Sequence, residues 1–229
     1  MIIRKNGTPS AHDEGGHYWI SISDLMTSLL FIFIIILAYT IFTFKQKSDA
    51  FEANANARSE LLKILQADLN KSSINVDIDP ENGNMRVKAD TFFASGSAIP
   101  SEEGKRKLIE IAKQIKEKIT TTPKYKKAID TIFIEGHTDS KPLSQSLGGR
   151  SWRNLELSSQ RAINSFEEMN NTVGIAQMKN SSGKFLFSYS GYADMRPIPG
   201  LENNTSQEAM EKNRRIEFFF ALSSSERQK

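Results

Sequence analysis

The longest uncharged stretch of the 229-residue sequence runs from Leu25 to Phe44 and reads LMTSLLFIFIIILAYTIFTF. An α-helix rises about 1.5 Å per residue, so a helix of this length spans about 30 Å, the thickness of a bilayer's hydrocarbon core. Aromatic residues lie towards both ends of the stretch, where such side chains typically meet the membrane surface. The sequence therefore predicts one membrane-spanning helix over residues 18–44, preceded by a tail at 1–17.

A cleaved signal peptide is the alternative interpretation of this stretch. The apolar core of a signal peptide is typically about 7–15 residues long, and a small-residue cleavage site follows it. The stretch here is longer and has no such site after it, which favours a retained span. The distribution of positive charge does not determine the orientation of that span, because two positive residues lie on each side: Arg4 and Lys5 before it, and Lys45 and Lys47 after it.

Asp24 stands at the start of the apolar stretch. Ser21, Thr27 and Ser28 share its helix face by spacings of three and four residues. A carboxylate within a spanning helix is costly and usually faces a bundle interior or a water-filled path, often as an ion relay. The alternative is that Asp24 lies among the lipid head groups or caps the helix N-terminus. The shared polar face favours an ion-carrying Asp24 on a path lined by Ser21, Thr27 and Ser28, and a single helix needs a partner to enclose such a path.

Residues 45–73 are polar and alanine-rich, and they separate the predicted span from the rest of the chain. Leucine and isoleucine recur there at helical spacing, which predicts an amphipathic helix over residues 57–70. One interpretation is a tether with a short packed helix. The other is a plug or dimerising segment that controls an ion path.

Residues 74–222 alternate between strand-like and helix-like segments. Ser101 is expected to cap the N-terminus of an amphipathic helix, because an apolar residue follows at each turn. The other expected elements are two strands around the turn at 81–83, strands at 131–136, 184–192 and 214–222, and a helix at 154–169. This order predicts one domain with an α+β sandwich architecture, followed by a tail at 223–229.

Five sequence blocks in this region are similar to those of OmpA-like peptidoglycan-binding domains and occur in the same order. They read FFASGSAIPSEEGKRKL, IEGHTDS, WRNLELSSQRA, YSGYADMRPI and NRRIEFFF. The resemblance implies an α+β sandwich of the βαβαβ type that binds the diaminopimelate-containing stem peptide of peptidoglycan. It implies ligand contact by Asp139 and Arg161, with Thr138, Asn154 and Arg214 as further candidates.

The chemistry of the two principal residues agrees with that ligand. Diaminopimelate carries an ammonium and a carboxylate on one carbon, which an aspartate and a forked arginine can bind together. Asn154, Ser158 and Arg161 fall on one helix face by spacing. The alternative is a purely structural Asp139–Arg161 ion pair. The long Gly/Ser-rich loop between Asp139 and Asn154 resembles flagellar stators more than outer-membrane members, and glycan binding is in doubt if this loop separates Asp139 from Arg161.

The predicted span resembles the B subunits of ion-driven stators. Trp19 and Asp24, followed by Leu-Met-Thr, have the spacing of the W-x-x-x-x-D-F-M-T segment in flagellar stators. The resemblance implies that Asp24 carries a proton, or Na⁺, within a ring of multi-span A-type partner subunits. It also implies a homodimer in the cell inner membrane, crossing once, with the N-terminus in the cytoplasm and the C-terminal domain in the periplasm.

Three biological roles are compatible with this architecture: anti-phage defence, flagellar motility and a passive tether. The segment SDLMTSLLFIF and the short N-terminal tail resemble those of the Zorya anti-phage defence branch more closely than those of the flagellar branch. A flagellar stator subunit works by the same mechanism, and a passive membrane-to-wall tether needs no ion carrier.

Composition argues against several other classes of protein. The net charge is +3 with lysines spread among glutamates, so nucleic-acid binding is not expected. The sequence has no cysteine, and His137 is separated by the predicted span from His12 and His17, so no metal site is expected. Without a catalytic triad, paired catalytic carboxylates or a phosphate-binding glycine loop, we expect neither an enzyme nor a resident cofactor.

Overall fold

The structure is a computed structural model and describes residues 14–141, 152–202 and 206–224. The chain divides into two units, Met1–Asp49 and Ala50–Lys229. A long helix, α1 (Glu14–Lys71), begins in the first unit and ends in the second.

The first unit consists, in its described part, of the beginning of α1. Among the described residues, the helical stretch that begins at Trp19 is long and apolar enough to cross a membrane, with a mean hydropathy of 2.6 over an 18-residue window. The Thr27 hydroxyl donates to the carbonyl oxygen of Ser23 at 2.7 Å, and Thr40 donates similarly to Leu37. Such bonds satisfy polar side chains within an apolar segment.

Asp24 lies inside α1, with its side chain exposed. Because α1 begins at Glu14, Asp24 is about three turns beyond the helix start. The interpretation that Asp24 caps the helix N-terminus is therefore wrong. The side chains of Ser21, Thr27 and Ser28 are exposed as well.

The second unit contains five strands and four further helices among its described residues. In chain order they are β1 (Asp77–Asp79), β2 (Asn84–Lys88), α2 (Glu102–Thr121), α3 (Pro123–Ala128), β3 (Ile129–His137), α4 (Trp152–Val173), β4 (Phe187–Ala193), α5 (Gln207–Asn213) and β5 (Arg215–Leu222). The strands form one sheet in the order β1-β2-β5-β3-β4. Strands β3 and β4 are parallel and joined through α4, whereas the other neighbours are antiparallel.

One face of the sheet packs against the helices. Strand positions alternate between the two faces, so Ile132 and Ile134 of β3 and Phe218 of β5 point into the apolar core. Helix α2 supplies one apolar residue per turn to the same core, including Leu108 and Ile111. A long apolar helix followed by a mixed sheet with packed helices confirms the predicted fold class.

The start of α2 is the predicted one. The Ser101 hydroxyl accepts a hydrogen bond from the backbone N–H of Gly104 at 3.0 Å, and two glutamates occupy the first turn. Negative charge and a serine cap both stabilise a helix N-terminus. The short helices α3 and α5 were not predicted, since each is only six or seven residues long and largely polar.

The end of α1 belongs to the core of the second unit. Leu61, Leu62, Leu65 and Leu69 are fully buried there. The Arg58 guanidinium donates to the carbonyl oxygens of Phe220, at 3.2 Å, and of Glu81, and Asn54 donates to that of Ser223 at 3.3 Å. The helix predicted at 57–70 is present as part of α1. The second unit begins at Ala50, before the domain start predicted at residue 74.

Candidate ligand-binding site

Two glycines bring α4 into direct contact with the sheet. A Cβ at Gly136 of β3 would lie 2.0 Å from the carbonyl oxygen of Ser158, and one at Gly191 of β4 would lie 2.3 Å from the amide nitrogen of Ser159. Only glycine permits so close an approach of two backbones. The buried face of α4, including Asn154 and Arg161, is consequently held beside the end of β3.

Asp139 follows β3 and forms an ion pair with Arg214. Nη1 of Arg214 donates to Oδ2 of Asp139 at 2.6 Å, and the backbone N–H of Lys141 donates to Oδ1 at 3.1 Å. Arg214 lies between α5 and β5, so the order of the sheet brings it beside the end of β3. Among the described residues Asp139 pairs with Arg214 and not with Arg161, so the alternative of a structural Asp139–Arg161 pair is wrong.

Arg161 is a buried cation, with only 4% of its surface exposed. Its Nε donates to the carbonyl oxygen of Ser97 at 2.9 Å, its Nη2 to that of Ala94 at 3.4 Å, and its guanidinium lies 5.2 Å from the ring centre of Phe93. Burial, followed by the nearby charge of Arg214, lowers the pKa of Arg161 to about 10, while Asp139 opposes the shift. The group is thus a charged donor at neutral pH in a poorly hydrated place.

Thr138 and Asn154 have different positions in the site. The Thr138 hydroxyl is buried and has no hydrogen-bond partner among the described residues. A buried hydroxyl without a partner is costly, and Thr138 lines a cavity. Asn154 Nδ2 donates to the carbonyl oxygens of Asp139, at 3.2 Å, and Lys141, at 3.0 Å. Asn154 therefore holds the turn that carries Asp139.

A cavity of about 470 Å³ lies between the end of β3, the buried face of α4 and residues 89–96. All five residues expected to contact peptidoglycan line it: Thr138, Asp139, Asn154, Arg161 and Arg214. Asp139 and Arg161 thus face the same space, although part of the intervening loop, residues 142–151, lies outside the described residues. The residues that line the cavity carry both signs of charge, with two carboxylates, Asp90 and Asp139, and three cations, Lys141, Arg161 and Arg214, a combination suited to a zwitterionic ligand.

Sequence reasoning missed several lining residues. Lys141, Asp90 and Phe93 also face the cavity, and the carbonyl groups of Ala94 and Ser97 orient Arg161. Phe93 and Ala94 lie within the first of the five sequence blocks, so that block carried a signal for the site. No local pattern marks a backbone carbonyl as the partner of a distant arginine.

The OmpA family model matches residues 92–214, which is more than half of the chain and includes every residue predicted to contact the ligand. Motility protein B of Bacillus subtilis (strain 168) is 26% identical over 162 residues, covering 71% of this chain and 54% of that protein. The chain thus spans about half the length of that relative. Uncharacterized protein YtxE of the same organism is 25% identical over 238 residues, covering 93% of this chain and 92% of that protein.

The solved structure of a putative MotB-like protein from Desulfovibrio vulgaris shares the fold. It is 19% identical with a TM-score of 0.53, and the match covers 78% of this chain and 99% of that one. Together with the matched family blocks and the cavity they enclose, these comparisons show that the chain belongs to the OmpA family.

Proposed function

We propose that this chain is the peptidoglycan-anchored subunit of an ion-driven motor in the cell inner membrane. The observation that carries the proposal is the cavity that Asp139, Arg161 and Arg214 share in an OmpA-family domain. The same chain carries an acid inside a helix long enough to span a membrane. An anchor alone does not need that acid.

The cavity suits the amino acid centre of diaminopimelate. Asp139 accepts from the ligand's ammonium, and the buried guanidinium of Arg161 donates to its carboxylate. Arg214 already pairs with Asp139, but its side chain is 37% exposed, so it lies at the rim and can share the carboxylate. Thr138 also lines the cavity and is a further candidate for ligand contact.

Pull-down of the full chain, in detergent, on purified sacculi tests this binding. Asp139→Asn and Arg161→Gln are each expected to weaken binding by about tenfold or more, because each removes a charged hydrogen bond. Asp194→Asn and Arg153→Gln remove the same charges at exposed positions outside the cavity and serve as matched controls. Undiminished binding by both cavity variants would refute the anchor.

In the membrane, Asp24 carries the transported ion, a proton or Na⁺. The support is its position about three turns inside α1, on a face shared with Ser21, Thr27 and Ser28. A single helix encloses no path, so two copies of the chain sit within a ring of multi-span A-type subunits. A unit charge crossing 100 mV releases about 2.3 kcal/mol, which bounds the work done per ion.

The peptidoglycan anchor holds the dimer still, so that the ring turns. This arrangement puts the N-terminus in the cytoplasm and the OmpA-family domain in the periplasm. Asp24→Asn, co-expressed with the A-type subunit, is expected to abolish ion flux while the complex still assembles. Asp49→Asn, beyond the apolar stretch of the same helix, is the matched control. Normal flux in Asp24→Asn would favour the passive tether instead.

The output we favour is anti-phage defence of the Zorya type. Its support is the segment SDLMTSLLFIF. The similarity to Motility protein B supports the flagellar alternative. Plating efficiency of phages, compared with the swimming radius in soft agar, separates the two outputs in strains that carry or lack Asp24→Asn.

A further inference from the structure

The sheet face that points away from the helices carries a second polar site. A cavity of about 550 Å³ lies on this face, with its floor on β3 and β5. The β1–β2 hairpin forms one wall, and residues 192–199, from the end of β4 onward, form the other. No residue lines both this cavity and the one that contains Asp139.

Two glutamates lie directly opposite each other on the floor. Glu135 of β3 and Glu217 of β5 are register partners, and 7% and 5% of their surfaces are exposed. Like charges directly opposite in a sheet destabilise it, and buried carboxylates require partners. Glu217 has two such partners, since Nε of Arg215 lies 2.5 Å from its Oε2 and Nε of Arg86 lies 3.5 Å from its Oε1.

Glu135 differs from Glu217 in this respect. Among the described residues it has no ion pair with arginine or lysine, and its nearest ionisable partner is Nε2 of His137 at 3.6 Å. Arg215, which pairs with Glu217, attracts Glu135 only from beyond ion-pair distance, and the other two arginines of the cavity have further partners. Arg86 also faces Asp77 and Asp79, and the guanidinium of Arg196 lies 3.7 Å from the ring centre of Tyr192.

His137 does not compensate for the two carboxylates. Its ring is 1% exposed, and neither nitrogen has a hydrogen-bond partner among the described residues. Nε2 lies 3.6 Å from Glu135 and 3.8 Å from Glu217, beyond hydrogen-bond distance. Burial lowers the pKa of His137, so the ring is neutral at pH 7.

Aromatic rings border the carboxylates on two sides. Phe133 and Phe219 stack with their ring centroids 6.0 Å apart, and they are the next pair on the same sheet face, two register positions from the glutamates. The ring of Tyr192 stacks on that of His137 with 5.6 Å between centroids. Aromatic faces attract cations and cover aliphatic carbon. An acidic centre flanked by such faces is suited to a positive charge at the end of an apolar stem.

We propose that this cavity binds an ammonium group carried on an aliphatic stem. An ammonium has three N–H donors, and the carboxylates of Glu135 and Glu217 accept from it beside the neutral ring of His137. Glu135 is the principal partner because it forms no ion pair with an arginine or lysine among the described residues. The stem lies along Phe133 and Phe219. The site is independent of the proposed peptidoglycan cavity.

The test uses the full chain in detergent micelles with ¹⁵N-labelled histidine rings. The sequence has three histidines, so His12→Gln and His17→Gln assign the His137 signals. n-Butylammonium is expected to shift these signals saturably, whereas butyrate, of opposite charge and similar length, is not. Binding is expected to weaken as salt is added, because it rests on charge.

Glu135→Gln removes the carboxylate while keeping the side-chain shape, and we expect it to weaken butylammonium binding by about tenfold or more. Glu167→Gln removes the same charge from an exposed position on α4 and is expected to have no effect. Retained peptidoglycan binding by Glu135→Gln shows that the domain is folded. If this variant does not fold, the salt dependence of the wild-type titration decides.

A comparison of probes identifies the source of the ammonium group. Tighter binding of N-acetyl-lysine methylamide than of n-butylammonium indicates a lysine side chain of a polypeptide, and equal binding indicates a free amine. The proposal is overturned if butylammonium causes no saturable shift, if butyrate binds equally well, or if affinity is insensitive to salt. Full affinity in a folded Glu135→Gln variant overturns it too.

Discussion

Gly136 of β3 lies so close to Ser158 of α4 that a single added carbon would be 2.0 Å from the Ser158 carbonyl oxygen. This contact sets the distance between the helix that carries Arg161 and the strand that leads to Asp139. The ligand-binding cavity therefore depends on a position that has no side chain.

Gly136→Ala is expected to force α4 away from the sheet. Overpacking of this kind costs about 3 kcal/mol of unfolding free energy, and the shift also weakens sacculus binding. Gly174→Ala is the control, because Gly174 has a φ of 72° and nothing within 4 Å of an added Cβ. That variant is expected to lose about 1 kcal/mol from backbone strain alone and to bind normally. Urea denaturation and sacculus pull-down of both variants check this prediction.

Arg214→Gln is expected to reduce stability only slightly. Its ion pair with Asp139 is partly exposed, and such pairs contribute about 1 kcal/mol or less. Because Arg214 lies at the rim and Arg161 is buried, Arg161→Gln is expected to impair sacculus binding more than Arg214→Gln does. The reverse order of affinities would identify Arg214 as the principal cation of the site.

The stability of the second unit is expected to fall as the pH drops from 7 to 5. Burial lowers the pKa of His137 below its ordinary 6.5, so the unfolded chain takes up a proton that the folded chain resists. The contribution of neutral His137 is present above pH 6.5 and is lost as the pH falls through the folded-state pKa. Thermal melts at several pH values check this. His137→Gln is expected to flatten the dependence, and an unchanged slope would contradict the prediction.

Ser101→Ala is expected to cost about 1 kcal/mol of unfolding free energy, because the N–H of Gly104 loses its acceptor. Ser101→Asp keeps an acceptor and adds a favourable charge at the helix start, so it is expected to match the wild type. Urea denaturation midpoints compare the three proteins. Equal losses in both variants would mean that the serine contributes through something other than its cap.

Local spacing made much of the fold and the site predictable. The apolar stretch, the cap at Ser101 and the shared face of Asn154 and Arg161 are all periodic features within one element. The placement of Asp139 and Arg161 in one cavity followed from the order of the family's sequence blocks.

Contacts between distant elements were not predictable in the same way. The Asp139–Arg214 pair joins residues 75 positions apart and requires the sheet order. The pairing of Glu135 with Glu217 requires the register of β3 and β5. The buried leucines at the end of α1 were assigned to a linker, because helical spacing shows an apolar face without showing what covers it.

Strand β5 is the last strand along the chain, yet it lies between β2 and β3. Until β5 inserts, the β1–β2 hairpin and the β3–α4–β4 unit have no shared strand, and the hydrogen bonds that join them cannot form. Arg214 immediately precedes β5, so the same insertion delivers the arginine to Asp139. The sheet and the binding cavity therefore depend on the same strand, and a domain in which β5 has not paired has neither its central strand nor the Asp139–Arg214 contact.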